Sequence, residues 1–316
     1  MTPSQPNGAI RQRRRPLSPK ATVRAVEQRA LVLWNDLPAW RRDNVHIRSA
    51  YRPIRASYCD ALISLTYLHN ESVNIWSHLL AALSALALGL AALYCYHSHR
   101  HAILVAPANS SDAIVFACFA SGAVLCLGMS ATYHAVMDHS ETVARWGNKL
   151  DYTGIVALIV GSNVPVLYYG LFCEPTLFTA YLALICILGI GCVAVAWLER
   201  FRTSEWRAYR ACMFIGLGIS GVIPGIHGLK LYGYEELQVR MSINWVAAQG
   251  ALYIFGAVLY ASRWPERNNP GKFDVWGSSH QLFHVLVVMA AATHLYGMVK
   301  AFNHHHHVLG SQCHIT

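Results

Sequence analysis

The sequence predicts an all-α protein, a bundle of seven membrane-spanning helices with a short amphipathic helix before the first span. Two observations carry this. Of the 316 residues 54% are hydrophobic and only 13% are charged, about half the charge of an ordinary soluble domain. The apolar residues are also gathered into seven long segments, each able to cross a hydrocarbon core that needs about 20 residues of helix.

Read in order, residues 1–50 form a basic cytosolic tail, expected to be largely disordered, with a helix expected over residues 23–42. Residues 51–72 are a membrane-surface segment, opened by the extended Tyr51-Arg52-Pro53 and carrying an amphipathic helix over residues 57–68. Residues 73–300 are the membrane domain, with spans at about 73–96, 112–137, 150–171, 176–198, 209–229, 242–263 and 278–300. The turn Cys173-Glu174-Pro175 makes the third and fourth spans antiparallel neighbours. Pro165 and Pro224 are expected to kink their spans, and the Gly-rich residues 216–225 to allow close helix approach. Residues 301–316 are a His-rich extracytosolic tail.

Orientation follows from the basic residues. A cytosolic N-terminus leaves 21 Lys and Arg inside and 4 outside, and 9 against 4 without the tail, so the N-terminus is expected inside and the C-terminus outside. That is opposite to a G-protein-coupled receptor. The net charge of +9 lies in the tail and short loops, where membrane orientation explains it better than nucleic-acid binding. No apolar leader with a cleavage site is visible near the N-terminus. The nine cysteines are scattered through apolar runs without a CxxC pair, and read as small packing residues rather than a disulfide framework.

Ionisable residues inside spans are rare and mark function. His280 and His284, four residues apart, share one face of the seventh span, the spacing by which a helix offers two imidazoles to one metal. His134 on the second span supplies a third, completing a three-ligand zinc site with an open position for water. The alternating direction of the spans brings His134, Asp151, His280 and His284 to one depth, near the cytosolic face. Asp151 is expected to hold or deprotonate the water, and Ser130, one turn before His134, to assist it. Any one of these histidines alone would read as an interfacial hydrogen-bonding residue; the coincidence of depth reverses that. Glu71, Asn74 and His78 read as a helix start, with Asn70 as cap and Glu71 complementing the dipole. His294 reads as a core polar contact, Tyr168-Tyr169 as an interfacial belt, and His304 to His307 as a solvated end.

Three stretches, NESVNIWSHLL at residues 70–80, Ser130 to His134 continuing through HSETVARWGNKLDYTGI to Ile155, and SHQLFHVLVV at residues 279–288 followed by HLYG, resemble the progestin and adipoQ receptor family, including its adiponectin-receptor and fungal sterol- and zinc-homeostasis branch and the more distant haemolysin III-type proteins. The resemblance covers about residues 45–300. It implies seven helices with the N-terminus inside, zinc on His134, His280 and His284, the water-holding aspartate at Asp151, and the serine of the wider hydrolase pattern at Ser130. The expected function is zinc-dependent hydrolysis of a ceramide-like lipid amide in the plasma membrane or an endomembrane, linked to lipid, sterol and zinc homeostasis. The alternative is a signalling receptor with an extracellular ligand, in which the zinc only staples helices. A transporter or channel is disfavoured, because the spans lack a path of carboxylates across the bilayer.

Overall fold

In the computed structural model the described residues are 30–97, 109–310 and Cys313. They contain nine α-helices: α1 Tyr58–Ser64, α2 Ser72–His97, α3 Ser110–Val136, α4 Glu141–Gly170, α5 Pro175–Trp197, α6 Arg207–Ile219, α7 Val222–Arg240, α8 Ile243–Ser262 and α9 Ser279–His307. Seven helical stretches are long and apolar enough to cross a membrane, with α6 and α7 forming one of them. The protein is therefore a multi-pass integral membrane protein, as composition predicts.

The fifth span, expected over residues 209–229 with a kink at Pro224, runs over Ser204–Arg240 and is interrupted twice. It breaks after Ile219, resumes at Val222 and bends again at Gly233, whose φ is 72°. Pro224 explains the first break: it lacks the N–H that would reach the carbonyl of Ser220, and its ring crowds that turn. Pro165, by contrast, stays within α4.

The inner helices are α3, α4 and α9. In the most apolar stretch of α4 half the residues are buried (50%), against 6% in α2, so α2 turns most of its surface to lipid. In lipid, helices associate through close packing rather than water exclusion, and α3 and α4 achieve this with glycines. A Cβ on Gly154 would lie 2.8 Å from the Cα of Cys126, one on Gly161 2.7 Å from the carbonyl of Cys118, and one on Gly122 2.7 Å from the carbonyl of Ala157. In the stretch at residues 216–225 only Gly221 does the same, a Cβ there lying 2.8 Å from Asn163 Oδ1 of α4; one on Gly216 or Gly218 would meet nothing within 4 Å. Gly154→Val is expected to destabilise the bundle by about 1–3 kcal/mol, the usual range for overpacking. It should also displace Cys126 and, one and two turns on, Ser130 and His134. Thermal unfolding in detergent checks the first effect and metal content the second.

The segment before the first span is more ordered than composition predicts. Of the helix expected over residues 23–42, residues 23–29 lie outside the described residues, and the rest holds only two 3-10 turns, Trp34–Asp36 and Ala39–Arg41. Pro38 separates them and keeps Leu37 extended (ψ 147°), as expected of a residue before proline. Residues 31–57 form a strap. Val32 and Tyr51 pair as an antiparallel bridge, donating to each other's carbonyls at 2.8 and 3.2 Å, and Leu37, Ile47 and Tyr51 bury together beside Trp34. The strap is tied to the loop before α9: Asp274 accepts from the Arg48 backbone N–H at 3.0 Å and the Ser49 hydroxyl at 2.6 Å. Asp43 pairs with Arg207 and Arg263, and these guanidiniums hold its carboxyl below the usual range. The boundary expected at residue 50 thus falls inside a folded unit. The amphipathic helix is present as α1, capped by the Ser57 hydroxyl, which accepts the Asp60 N–H at 3.2 Å.

At the opposite end three expectations are corrected. Cys173 and Cys313 form a disulfide across 140 residues, a separation that cysteine spacing does not reveal; Cys59, Cys118, Cys126, Cys186, Cys192 and Cys212 are free thiols. The His run is not a solvated end, because α9 continues through His307. His305 is 2% exposed, and His306 Nε2 lies 2.8 Å from the carboxylate of Asp112. Tyr169 is buried rather than interfacial and donates to the other oxygen of Asp112 at 2.8 Å. His294 is a core residue as expected, tilted against Phe119 at 4.6 Å.

Candidate metal centre

Three helix ends build the site. His134 lies in the last turn of α3, Asp151 in the third turn of α4, and His280 and His284 in the first two turns of α9. The close α3–α4 packing brings Ser130 and Asp151 to the same cavity, with the Ser130 side chain beside the Asp151 carboxylate. Glu266 anchors the start of α9, accepting the backbone N–H of Ser279 at 2.8 Å and its hydroxyl at 2.5 Å. This holds His280 one residue further on.

One ring nitrogen from each of His134, His280 and His284 lies within 4.8 Å of the others. Their ring centroids are 5.0, 4.9 and 4.7 Å apart. His134 and His284 are buried and His280 is half-buried.

The hydrogen bonds settle which nitrogens are available. His134 Nδ1 lies 2.8 Å from a Glu71 carboxylate oxygen. That oxygen can only accept, so Nδ1 carries the proton. His284 Nδ1 lies 3.1 Å from the carbonyl of Asn74 and is protonated for the same reason. In both rings Nδ1 is thus taken by the outer partner, and Nε2 is the nitrogen left to bind a metal. His134 Nε2 is buried without a hydrogen-bond partner, which is costly for a polar atom unless something binds there. Three imidazoles converging in this way, two of them oriented by outer carboxylate or carbonyl groups, suit zinc. The residues present fit the ion.

Glu71, Asn74 and His78 do more than start a helix. Asn74 donates from Nδ2 to Glu71 at 2.7 Å, and His78 stacks on His284 with ring centroids 3.7 Å apart and an interplanar angle of 9°. Burial opposes ionisation of Glu71, but the His134 ring and the Arg41 guanidinium beside it hold its carboxyl well below the usual range. The spacing of three and four residues was the visible signal for this trio; its partners lie 63 and 210 residues away, which helical periodicity does not report.

Ser130, His134, Asp151, His280 and His284 all face one cavity of about 1220 Å³. Away from the histidines its lining combines an apolar part, with Phe214, Ile215, Ile226, Val246 and Ile254, and a charged part that includes Arg145, Arg202, Arg207 and Arg210. Drug-sized ligands occupy about 300–1,000 Å³, so this cavity is large enough for a lipid.

The family model described as haemolysin-III related matches residues 66–295. The chain is 44% identical over 275 residues to the ADIPOR-like receptor IZH2 of Saccharomyces cerevisiae, covering 87% of this chain and 84% of that protein. It is 40% identical over 268 residues to the progestin and adipoQ receptor-like protein 1 of Caenorhabditis elegans, covering 84% of this chain and 59% of the relative. It is also 40% identical over 265 residues to the adiponectin receptor protein of Drosophila melanogaster, covering 84% and 58%. The chain thus spans less than two thirds of the worm and fly proteins, and the matched region includes all three histidines.

Proposed function

The chain belongs to the haemolysin-III-related family, among its adiponectin-receptor-like seven-helix members, and from that premise we propose that it is a zinc-dependent hydrolase of lipid amides of the ceramide class. The observation that carries this reading is the pairing of two groups on one lipid-sized cavity: three converging imidazoles, two held at Nδ1 by a carboxylate or a carbonyl, and Asp151 with Ser130 beside it.

Bound zinc would lower the pKa of a water to about 7 and polarise the scissile carbonyl. The protein's own residues supply the rest. His134, His280 and His284 hold the ion from two helices. The Ser130 hydroxyl orients Asp151, whose carboxylate takes the proton of the attacking water and returns it to the departing amine as the C–N bond breaks. Hydrolysis then balances, with water adding oxygen to the acyl carbon and a proton to the amine. The apolar wall holds the acyl chain and excludes bulk water.

The cytosolic position of the N-terminus is part of the same proposal. Two observations support it: the excess of Lys and Arg on that side and the disulfide on the other. Cys173 follows the third span and Cys313 the seventh, so both lie on the face opposite the strap, and disulfides persist on the oxidising side of a membrane. In sealed cells expressing the protein at the surface, an impermeant reductant followed by an impermeant maleimide should label Cys173 and Cys313. Labelling that requires permeabilisation would reverse the orientation.

The reading is tested with purified full-length protein by measuring zinc content and fatty-acid release from ceramide. The expected result is a single zinc ion per chain and release that a chelator abolishes. Zinc without release would favour the second reading, a receptor whose metal is structural; the support for that reading is that the yeast and fly relatives are named receptors. Absence of zinc would overturn both.

A further inference from the structure

His134 is gripped at its side chain and at its backbone by one ring of buried charges. Its Nδ1 donates to Glu71 at 2.8 Å. Its carbonyl accepts from Arg52 at 2.6 Å, and the next carbonyl, of Ala135, from the same guanidinium at 2.9 Å. Arg52 therefore caps the C-terminal end of α3, where exposed carbonyls favour a cation. Asp138 joins the two halves. It accepts from Arg41 Nε at 2.6 Å and pairs with Arg52 at 2.7 Å, while Arg41 faces Glu71 at 3.5 Å. The four side chains are between 4% and 10% exposed.

Two guanidiniums and two carboxylates balance, so the ring is neutral. A buried neutral network of this kind is weak evidence for stability, because desolvation offsets much of the attraction and apolar residues of similar volume often serve as well. What the charges supply here is geometry at one histidine. A carboxylate on Nδ1 fixes the tautomer, raises the basicity of Nε2 and stops the ring from turning.

We propose that Glu71 is a positioning residue of the metal centre, held by Arg41 of the strap, and that the Glu71–Arg41–Asp138–Arg52 ring sets the affinity of the site for its ion. The inference rests on reading His134 as a metal ligand. Two of its four members, Arg41 and Arg52, come from residues 31–57, before any span, so the strap is part of the metal site rather than a tether.

The test is the zinc dissociation constant of purified full-length protein, measured by competition with a chromophoric chelator, together with the visible absorption of the cobalt(II)-substituted form. Loss of an outer-shell partner weakens metal binding by about 10–100-fold, and that is expected of Glu71→Ala, with an altered cobalt spectrum. Glu71→Gln still offers an oxygen to Nδ1–H and should keep most of the affinity and the wild-type spectrum. Should Glu71→Ala not fold, Arg41→Met is expected to weaken zinc binding about tenfold through the same ring. Wild-type affinity and spectrum in folded Glu71→Ala, or in Arg41→Met where that variant stands in for it, would make the ring purely structural and overturn the inference while leaving the metal site intact. A wild-type protein that binds no zinc would overturn the metal reading and the inference with it.

Discussion

His284→Ala is expected to empty the metal centre. Outer-shell losses already cost about 10–100-fold in affinity, so removing one of three ligands should exceed ~100-fold and leave no zinc after dialysis. The change has a second signature. A ligand at 100 times its dissociation constant stabilises the folded state by about 2.7 kcal/mol; the wild type should therefore gain thermal stability with added zinc, and the variant should not. His284→Ala also removes the ring on which His78 stacks and the donor to the Asn74 carbonyl, so its zinc-free form should unfold at a lower temperature than the zinc-free wild type. Retention of stoichiometric zinc by His284→Ala would remove this histidine from the ligand set.

Asp151→Ala is expected to separate metal binding from catalysis. The carboxylate is assigned proton transfer, a role worth about 10²–10⁴-fold in rate, and the imidazoles do not depend on it. Zinc content should stay at the wild-type level while release of fatty acid from ceramide falls by that factor. Ser130→Ala should lose less, because it only orients the carboxylate, and the double variant should resemble Asp151→Ala alone, since partners acting as a unit are not additive. An unchanged rate in Asp151→Ala would exclude it as the proton carrier.

These variants could be named from the sequence because their signals are local or simply topological. His280 and His284 share a face by helical geometry, and seven spans of alternating direction bring His134 and Asp151 to their depth. Glu71 is a different case. Its spacing with Asn74 and His78 suggests a helix start, and a helix start does account for a carboxylate there; only the approach of α2 to α3 and α9 gives it His134 as a partner. Arg41 lies in the tail, where a helix over residues 23–42 is expected, and Arg52 in an extended membrane-surface stretch, and neither setting suggests burial, yet both are buried because Asp138 and Glu71 satisfy their charge. Local composition cannot report a counter-ion 97 residues away. The same holds for the Cys173–Cys313 disulfide and for the His run, which is helical because Asp112 and Phe172 receive it.

By itself, then, the sequence determined what the bilayer dictates: the number of helices and their approximate limits. Each follows from a one-dimensional property, because a helix in lipid satisfies its own backbone and needs only length and apolarity to be recognised. The tertiary structure alone decided which groups the Nδ1 atoms of His134 and His284 face, that Glu71, Arg41 and Arg52 gather around His134, that Gly122, Gly154 and Gly161 let α3 and α4 pack closely, and that the imidazoles share a cavity with Ser130 and Asp151. These depend on contacts between residues distant in the chain, whose energies come from burial and charge pairing in three dimensions and leave no periodic trace in one.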